Sequence, residues 1–553
     1  MTALAEALVP FPVVLPVLAA GVKLAVGRRM RRTQRGISVT VLVLVLAVSV
    51  VLLLAAERDG PQVVQLGAWA PPVGIVLVAD RLSALMLTVS SAVTLCVLVY
   101  SIGQGMADRE EETPLAVFHP SYLVLVAGVA DCFLAGDLFN LYVGFEIMLT
   151  ASYVLLTVGG TAARVRAGAT YIVVSLLSSL LFAAAVGMVY AAAGTVNMAQ
   201  LAGRLDTASP AVRSSLELML LLVFGIKAAV FPLAAWLPDS YPTAPAPVTA
   251  VFAGLLTKVG IYSILRVQTL LFPGDRLLPG LMVVALLSML FGILGAVAQS
   301  DLKRLLSFTL VSHIGYMVFG IALATVAGIG GAIFYVAHHI TVQTTLFLVA
   351  GLVERTGGTT DMPRLGGLAS LSPVLSAVFF LTAMNLSGIP PLSGFLGKLG
   401  LLRAGVEEGG AWAYLLVGAA VLTSLLTLYA LVKVWNLAFW RAAPAVPATG
   451  VVLESEAPAE EGGADADEDG EGGDRAGGGA ARSLRRGGAA ASMSGWEIST
   501  STRLPTAMLG ATVATVLLGL AYTVFAGPLA GLSHRAADEM LARTPYIEAV
   551  LHP

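Results

Sequence analysis

One glutamate, three lysines and three histidines stand inside runs of apolar residues long enough to cross a bilayer. Glu146 lies in LYVGFEIMLTASYVLL, and Lys227 has Val223, Phe224, Ala228 and Val230 around it. Lys258 follows Ala253, Gly254, Leu255 and Leu256, and Lys398 ends MNLSGIPPLSGFLGK. His313 sits in TLVSHIGYMVFG and the pair His338–His339 in FYVAHHITVQTTLFLVAG. An ionised side chain at mid-bilayer costs about 2.5–3.5 kcal/mol on insertion scales, so it persists only where something solvates it. Together these groups form a set whose hold on protons is set by burial and by neighbouring charges. If Glu146 pairs with Lys227, opening that pair would loosen the lysine proton and push it onward. Histidine, which titrates near physiological pH, suits the intermediate positions.

Each residue also has a plainer reading. Glu146 and Lys227 could simply neutralise one another. Lys258 could snorkel to an interface, although it stands eleven residues past Pro247 and too deep for comfort. His313, beside Gly315 and Tyr316, could be a packing residue, and Lys398 an anchor at a helix end. Of His338 and His339, helical spacing lets at most one line a common path. Asp137, at the mouth of the Glu146 span, is an auxiliary candidate for taking up a proton or cation. Asp239, Asp301 and Lys303 read as caps and interfacial anchors.

The elements that must hold these groups are transmembrane helices. Across 553 residues only 12% are charged, and the mean hydropathy is +0.87; a soluble chain would be about one quarter charged. The chain therefore reads as an all-α, polytopic integral membrane protein. Fourteen apolar windows lie near 5–27, 37–56, 76–102, 118–136, 138–158, 168–193, 215–232, 245–271, 277–298, 303–324, 328–353, 372–404, 411–439 and 505–526. The N-terminus lacks a basic leader region and reads as a retained first span. Cys96 and Cys132 lie in apolar runs and predict neither disulfide nor metal site. No phosphate loop, metal-ligand cluster, hydrolytic triad, haem motif or flavin motif is present, so no catalytic residue, metal or cofactor is expected, and no nucleic-acid partner.

Basic residues favour the odd-numbered loops: RRMRRTQR at 28–35, Arg109, Arg164, Arg166, Lys303, Arg304, Arg355 and Arg364, against Arg58, Arg204, Arg213 and Arg276 in the even ones. This bias puts the odd loops in the cytoplasm and both termini outside. Residues 443–503, rich in Gly, Ala and acid, read as a disordered cytoplasmic linker.

Two stretches echo each other: GIKAAVFPLAAWLP near 227, and MNLSGIPPLSGFLGKLGLL near 390. Each sets prolines beside one lysine, so spans 7 and 12 should be broken, the latter around 388–391. Paired broken helices predict two inverted repeats of five helices, spans 4–8 (118–271) and 9–13 (272–442), with the path at their interface. Residues 1–117 then form spans 1–3, and 504–553 form span 14 and a tail.

At these residues the sequence resembles a known family. GDLFNLYVGFEIMLTASYVLL, FGIKAAVFPLAAWLPDSYPTAPAPVTAVFAGLLTKVGIYSILR, QSDLKRLLSFTLVSHIGYM, SGIPPLSGFLGKLGLL and PYIEAVL are similar to the proton-translocating antiporter-like family. It includes membrane subunits of respiratory complex I and the A and D subunits of Mrp-type cation/proton antiporters. LPDSYPTAPAPVTAVFAGLLTKVG, GIPPLSGFLGK and YIEAVL look most like the pattern of the Mrp D subunit. The resemblance implies a secondary-transporter subunit, not an enzyme, within a hetero-oligomer of other Mrp subunits. It would sit among the lipids of a bacterial plasma membrane, exchanging Na⁺ for H⁺. It also implies a path through Glu146, Lys227, Lys258, His313, His339 rather than His338, and Lys398. The alternative is a proton-pumping subunit of an NADH- or hydrogenase-linked redox complex; a solute carrier fits poorly, because no roomy pocket accompanies the buried charges. Deleting 455–490 is expected to leave cation/proton exchange in vesicles nearly intact, and a large loss would show that this linker is more than a tolerated insertion.

Overall fold

A computed structural model describes residues 2–26, 31–105, 115–274, 277–442 and 504–552. The acidic linker at 443–503, Arg109 and Arg276 lie outside the described residues. Twelve helices among the described residues are long and apolar enough to cross a membrane. They supply span 1 (Leu4–Ala25), span 2 (Thr33–Asp59), span 3 (Arg81–Gln104), span 4 (Val117–Leu134), span 5 (Leu138–Thr157), span 6 (Ala162–Ala193) and span 8 (Ala246–Leu271). Span 9 (Leu278–Ala298), span 10 (Leu302–Ala322), span 11 (Val326–Gly357), span 13 (Gly410–Trp440) and span 14 (Thr506–Val524) complete the set. The two expected crossings missing from it, spans 7 and 12, are the two that break.

Span 7 starts as the helix Pro210–Ala228 and stops at Ala229, whose φ of 55° is left-handed. Pro232, Pro238, Pro242, Pro245 and Pro247 follow. Each proline lacks an N–H and crowds the preceding turn, so only the short helix Trp236–Ser240 and a single 3-10 turn, Tyr241–Thr243, form before span 8 begins. Span 12 starts as Pro373–Ser387, stops at Gly388 with φ 86°, passes Pro390 and Pro391, and resumes as Ser393–Glu408. The break expected at 388–391 is present.

The two repeats carry matching backbone signatures. Asp137 caps span 5 by accepting from Asn140 N at 2.6 Å, and Asp301 caps span 10 by accepting from Arg304 N at 2.8 Å. Beside the first cap, Leu138 N donates to Val196 O (3.0 Å) and Met198 N to Gly136 O (3.0 Å). Beside the second, Leu302 N donates to Thr360 O (2.9 Å) and Met362 N to Ser300 O (2.9 Å). Five crossings separate the two patterns, and an odd number turns the second copy upside down. Small residues bring the helix pairs together in the same way. A Cβ on Gly128 would stand 2.5 Å from Met148 N, and one on Gly292 would stand 2.3 Å from Ser312 N.

Two elements depart from the sequence reading. Residues 76–79 are not the start of span 3 but strand β2 (Val76–Ala79), paired antiparallel with β1 (Gln62–Gln65). Span 3 starts after Asp80, which forms a capping box with Ser83, the Ser83 N to Asp80 Oδ1 distance being 2.9 Å. The tail beyond span 14 is helical, with a long segment Ala526–Ala542 and a short one Thr544–Leu551. The long segment reaches from span 11, where His534 packs on Gly330, to the start of span 3, where Glu539 meets Arg81.

That end of the bundle is tied by charge. Buried Arg266 of span 8 pairs with buried Asp80 at 2.6 Å, and its guanidinium lies 5.1 Å from the ring centre of Tyr546. Arg81 bonds Glu57 at 3.1 Å, and Glu57 takes Arg535 at 2.6 Å. Asp80→Ala leaves Arg266 buried without its counter-charge and is expected to cost about 3–5 kcal/mol, read as loss of thermal stability in detergent. The double change Asp80→Leu with Arg266→Met should recover most of it, and a neutral Asp80→Ala would contradict this role.

Candidate ion path

Lys227 occupies the last turn of the first half of span 7, where the broken helix leaves carbonyls without helical partners. Its ammonium donates to Ser179 Oγ of span 6 at 3.3 Å and lies 4.9 Å from the ring centre of Phe145. A cavity of about 20 Å³ adjoins it, bordered by Tyr171, Ser175, Ser178, Trp236 and Tyr241, which is room for a single water. Glu146, next to Phe145 on span 5, is half-buried, and its Oε1 is buried without a hydrogen-bond partner. The conditional pairing of Glu146 with Lys227 is thus open in this structure. The carboxylate is close enough to act on Lys227 electrostatically, but among the described residues no ion pair within 4.0 Å joins them, because the amine turns to Ser179 and the Phe145 face.

Lys258 is fully buried, which removes the snorkelling reading. The turn before it, Phe252–Leu256, is a π-helix. That widening frees carbonyls from the α-helical ladder, and Lys258 Nζ donates to Ala253 O at 2.5 Å. Thr344 of span 11 closes the same region, its hydroxyl donating to Ala250 O at 3.3 Å.

The histidines and tyrosines of spans 10 and 11 form one buried cluster. His313 Nδ1 and the Tyr335 hydroxyl are 2.5 Å apart, and the His313 and His339 ring centres are 5.2 Å apart. Neither ring nitrogen of His339 has a hydrogen-bond partner. His338, one residue and about 100° away, turns to the break in span 12, with Nδ1 3.0 Å from Ser393 Oγ, and its Nε2 is also unpartnered. The two rings thus turn to different neighbours, His339 to His313 and His338 to Ser393. Lys258 is near enough for its charge to act on His313 and His339.

Lys398 stands at the other end of the series. Its Nζ donates to Leu386 O and Ser387 O, each at 3.0 Å, and lies 5.2 Å from the ring centre of Tyr316. Those carbonyls end the first half of span 12, so freed acceptors and the negative end of a helix dipole hold the ammonium. At 4% exposure it is no surface anchor.

Asp137 is 6% exposed and one of its carboxylate oxygens has no partner; burial pushes its carboxyl up to about 6. Asp131, which the sequence reading passed over, accepts from Asn140 Nδ2 at 3.1 Å in the same place. Also passed over is a buried row in spans 1, 2 and 4. Lys23 bonds Ser38, and Ser38 Oγ is 3.1 Å from His119 Nδ1. The only signal for it was one lysine in an apolar run and one histidine near the start of another.

Two oppositely directed helix repeats, each with a broken helix beside a buried lysine, define a membrane protein of the inverted-repeat class. Residues 135–427 match the family described as NADH:quinone oxidoreductase/Mrp antiporter, TM, and the chain belongs to that family. Over 439 residues it is 42% identical to the Na(+)/H(+) antiporter D subunit of Alkalihalophilus pseudofirmus, covering 78% of this chain and 87% of that one. Its counterpart in Bacillus subtilis is 37% identical over 432 residues, with 78% and 86% covered. A chain in the structure of the Mrp complex from Dietzia sp. DQ12-45-1b superposes with a TM-score of 0.83 at 33% identity, both chains fully covered. Respiratory complex I from Thermus thermophilus shares the fold, with a TM-score of 0.74 at 24% identity over 99% of this chain and 100% of that one.

Gly388 tests the Lys398 cradle. A side chain there is strained at φ +86°, and its Cβ would stand 2.9 Å from Lys398 Cδ. Gly388→Ala is expected to cost about 1–2 kcal/mol of stability and to lower ion exchange by moving the ammonium off its carbonyls. Wild-type thermal stability and wild-type exchange together would contradict that placement.

Proposed function

We propose that this chain is the D subunit of a multisubunit monovalent-cation/proton antiporter. Protons cross along Glu146, Lys227, Lys258, His313 with His339, and Lys398, in exchange for Na⁺. The observation that carries this reading is the run of buried protonatable groups from one broken helix to the other, each amine held by neutral hydroxyls, ring faces or carbonyls. A cation held this way is solvated but not neutralised, so a change at its neighbour alters how firmly its proton is held.

The open Glu146–Lys227 arrangement supports a switch. Moving Lys227 from Ser179 to the carboxylate stabilises its charge, and withdrawing it passes the destabilised proton toward Lys258. From there the cluster around Tyr335 leads to Lys398. His338, between Tyr335 and Ser393, serves as an auxiliary relay, and Asp137 as an uptake group at the mouth of span 5.

Other antiporter subunits are the expected partners, in a bacterial plasma membrane with both termini outside and the odd loops in the cytoplasm. The same series would serve a redox-driven pump, and the likeness to complex I favours that second reading only at the level of fold. The antiporter relatives favour exchange with Na⁺.

The test is Na⁺-dependent proton exchange in everted vesicles from a deletion strain complemented with the whole operon. Lys227→Ala and Glu146→Gln are each expected to abolish exchange while the complex still assembles. Full activity in either variant would remove the switch from the account.

A further inference from the structure

Glu217 stands on the same half-helix as Lys227, and the series above does not use it. It is 6% exposed, and its Oε1 accepts from Gln268 Nε2 of span 8 at 3.1 Å. Spans 7 and 8 run antiparallel and touch at Gly260, where a Cβ would stand 2.7 Å from Ala228 N. Along them Glu217 lies ten residues before Lys227, and Gln268 lies ten residues after Lys258. The acid–amide pair is thus one level of a ladder whose deeper level carries the two lysines, about 15 Å away at 1.5 Å per residue.

This upper level borders a polar cavity of about 240 Å³, lined by Asp206, Arg213, Ser214, Glu217 and the Phe272–Gly274 turn, with room for several waters. The other charged residues bordering the cavity, among the described residues, are engaged. Asp206 takes Arg543 from the C-terminal segment at 2.9 Å and Arg213 at 3.7 Å, and Arg213 also donates to Pro273 O at 2.7 Å. Glu217 faces Arg213 one turn away on its own helix, but its hydrogen-bond partner is a neutral amide.

We propose that Glu217 is a water-facing proton-exchange site of the first repeat. A hydronium ion in the cavity gives its proton to the carboxylate, leaving water and a neutral carboxylic acid; release is the reverse. Gln268 serves both states, its N–H donating to the carboxylate and its carbonyl able to accept from the acid. The proposal rests on the antiport reading, to which it adds an opening to water on the helix that carries Lys227. A purely structural tie between spans 7 and 8 would need neither the cavity nor an ionisable group.

Two measurements on the assembled complex in membranes decide it. A water-soluble carbodiimide with an amine nucleophile should modify Glu217, as located by mass spectrometry. The yield should fall as pH rises, and no adduct should form in Glu217→Gln. In exchange assays Glu217→Gln should lose at least about tenfold in rate and change the pH profile, while Glu217→Asp keeps both near wild type. No adduct at any pH, a pH-independent adduct, or a Glu217→Gln profile superimposable on wild type would each overturn the proposal. Absence of exchange in the wild type would count against the antiport reading, and the carbodiimide result would still decide whether Glu217 exchanges protons with water.

Discussion

Hydrocarbon offers a lysine ammonium nothing, and this structure is arranged around supplying what is missing without supplying a counter-ion. Lys258 takes a carbonyl released by a π-turn, and Lys398 takes two carbonyls released where span 12 stops. Lys227 takes a serine hydroxyl and a phenyl face. For Lys258 and Lys398 a local departure from the α-helix provides the acceptor, and Lys227 itself stands in the turn before the break at Ala229. The prolines and the left-handed residues at Ala229 and Gly388 are thus what allow the charges to exist at that depth.

Leaving the amines un-neutralised has a functional consequence. A buried ion pair of good geometry holds its proton firmly, and breaking it costs several kcal/mol. A cation held by neutral dipoles stays sensitive to every nearby charge, and at Lys227 the nearby charge is Glu146, within electrostatic reach but out of contact. The Asp80–Arg266 pair shows the other regime in the same molecule: two charges in contact at 2.6 Å, joining spans 3 and 8 near the C-terminal helices. One arrangement fastens the protein together, and the other is suited to moving charge through it.

Much of this was legible in the sequence because a membrane restricts the choices so strongly. Twenty-residue apolar windows located the crossings, and Gly388, Pro390 and Pro391 located the break in span 12, since a proline pair leaves a helix little alternative. The sites at Lys227, Lys258 and Lys398 were visible because an ionisable residue in an apolar run has few innocent explanations. What escaped depended on geometry the pattern does not encode. VLVA at 76–79 is as apolar as a helix start, and only the Asp80 cap and its pairing with Gln62–Gln65 make it a strand. The helix Ala526–Ala542 mixes polar and apolar residues and carries no spanning signal. Glu217 sits near a span end, where an acid looks interfacial until Gln268 and the adjoining cavity are seen. The separation of Glu146 from Lys227 depends on rotamers and on Ser179, a residue with no signature of its own.

The central claim is that the amines between the two broken helices carry the proton. Lys258 tests it most directly, because it lies between the proposed Glu146–Lys227 switch and the histidine cluster and has no carboxylate in contact among the described residues. The measurement is Na⁺-driven proton flux in proteoliposomes holding equal amounts of assembled complex with Lys258→Met or Lys258→Arg. The account predicts no flux in the methionine variant, which fills the space without a titratable group, and severe loss in the arginine variant, whose guanidinium does not release its proton. Flux near wild type with methionine at 258 would contradict it.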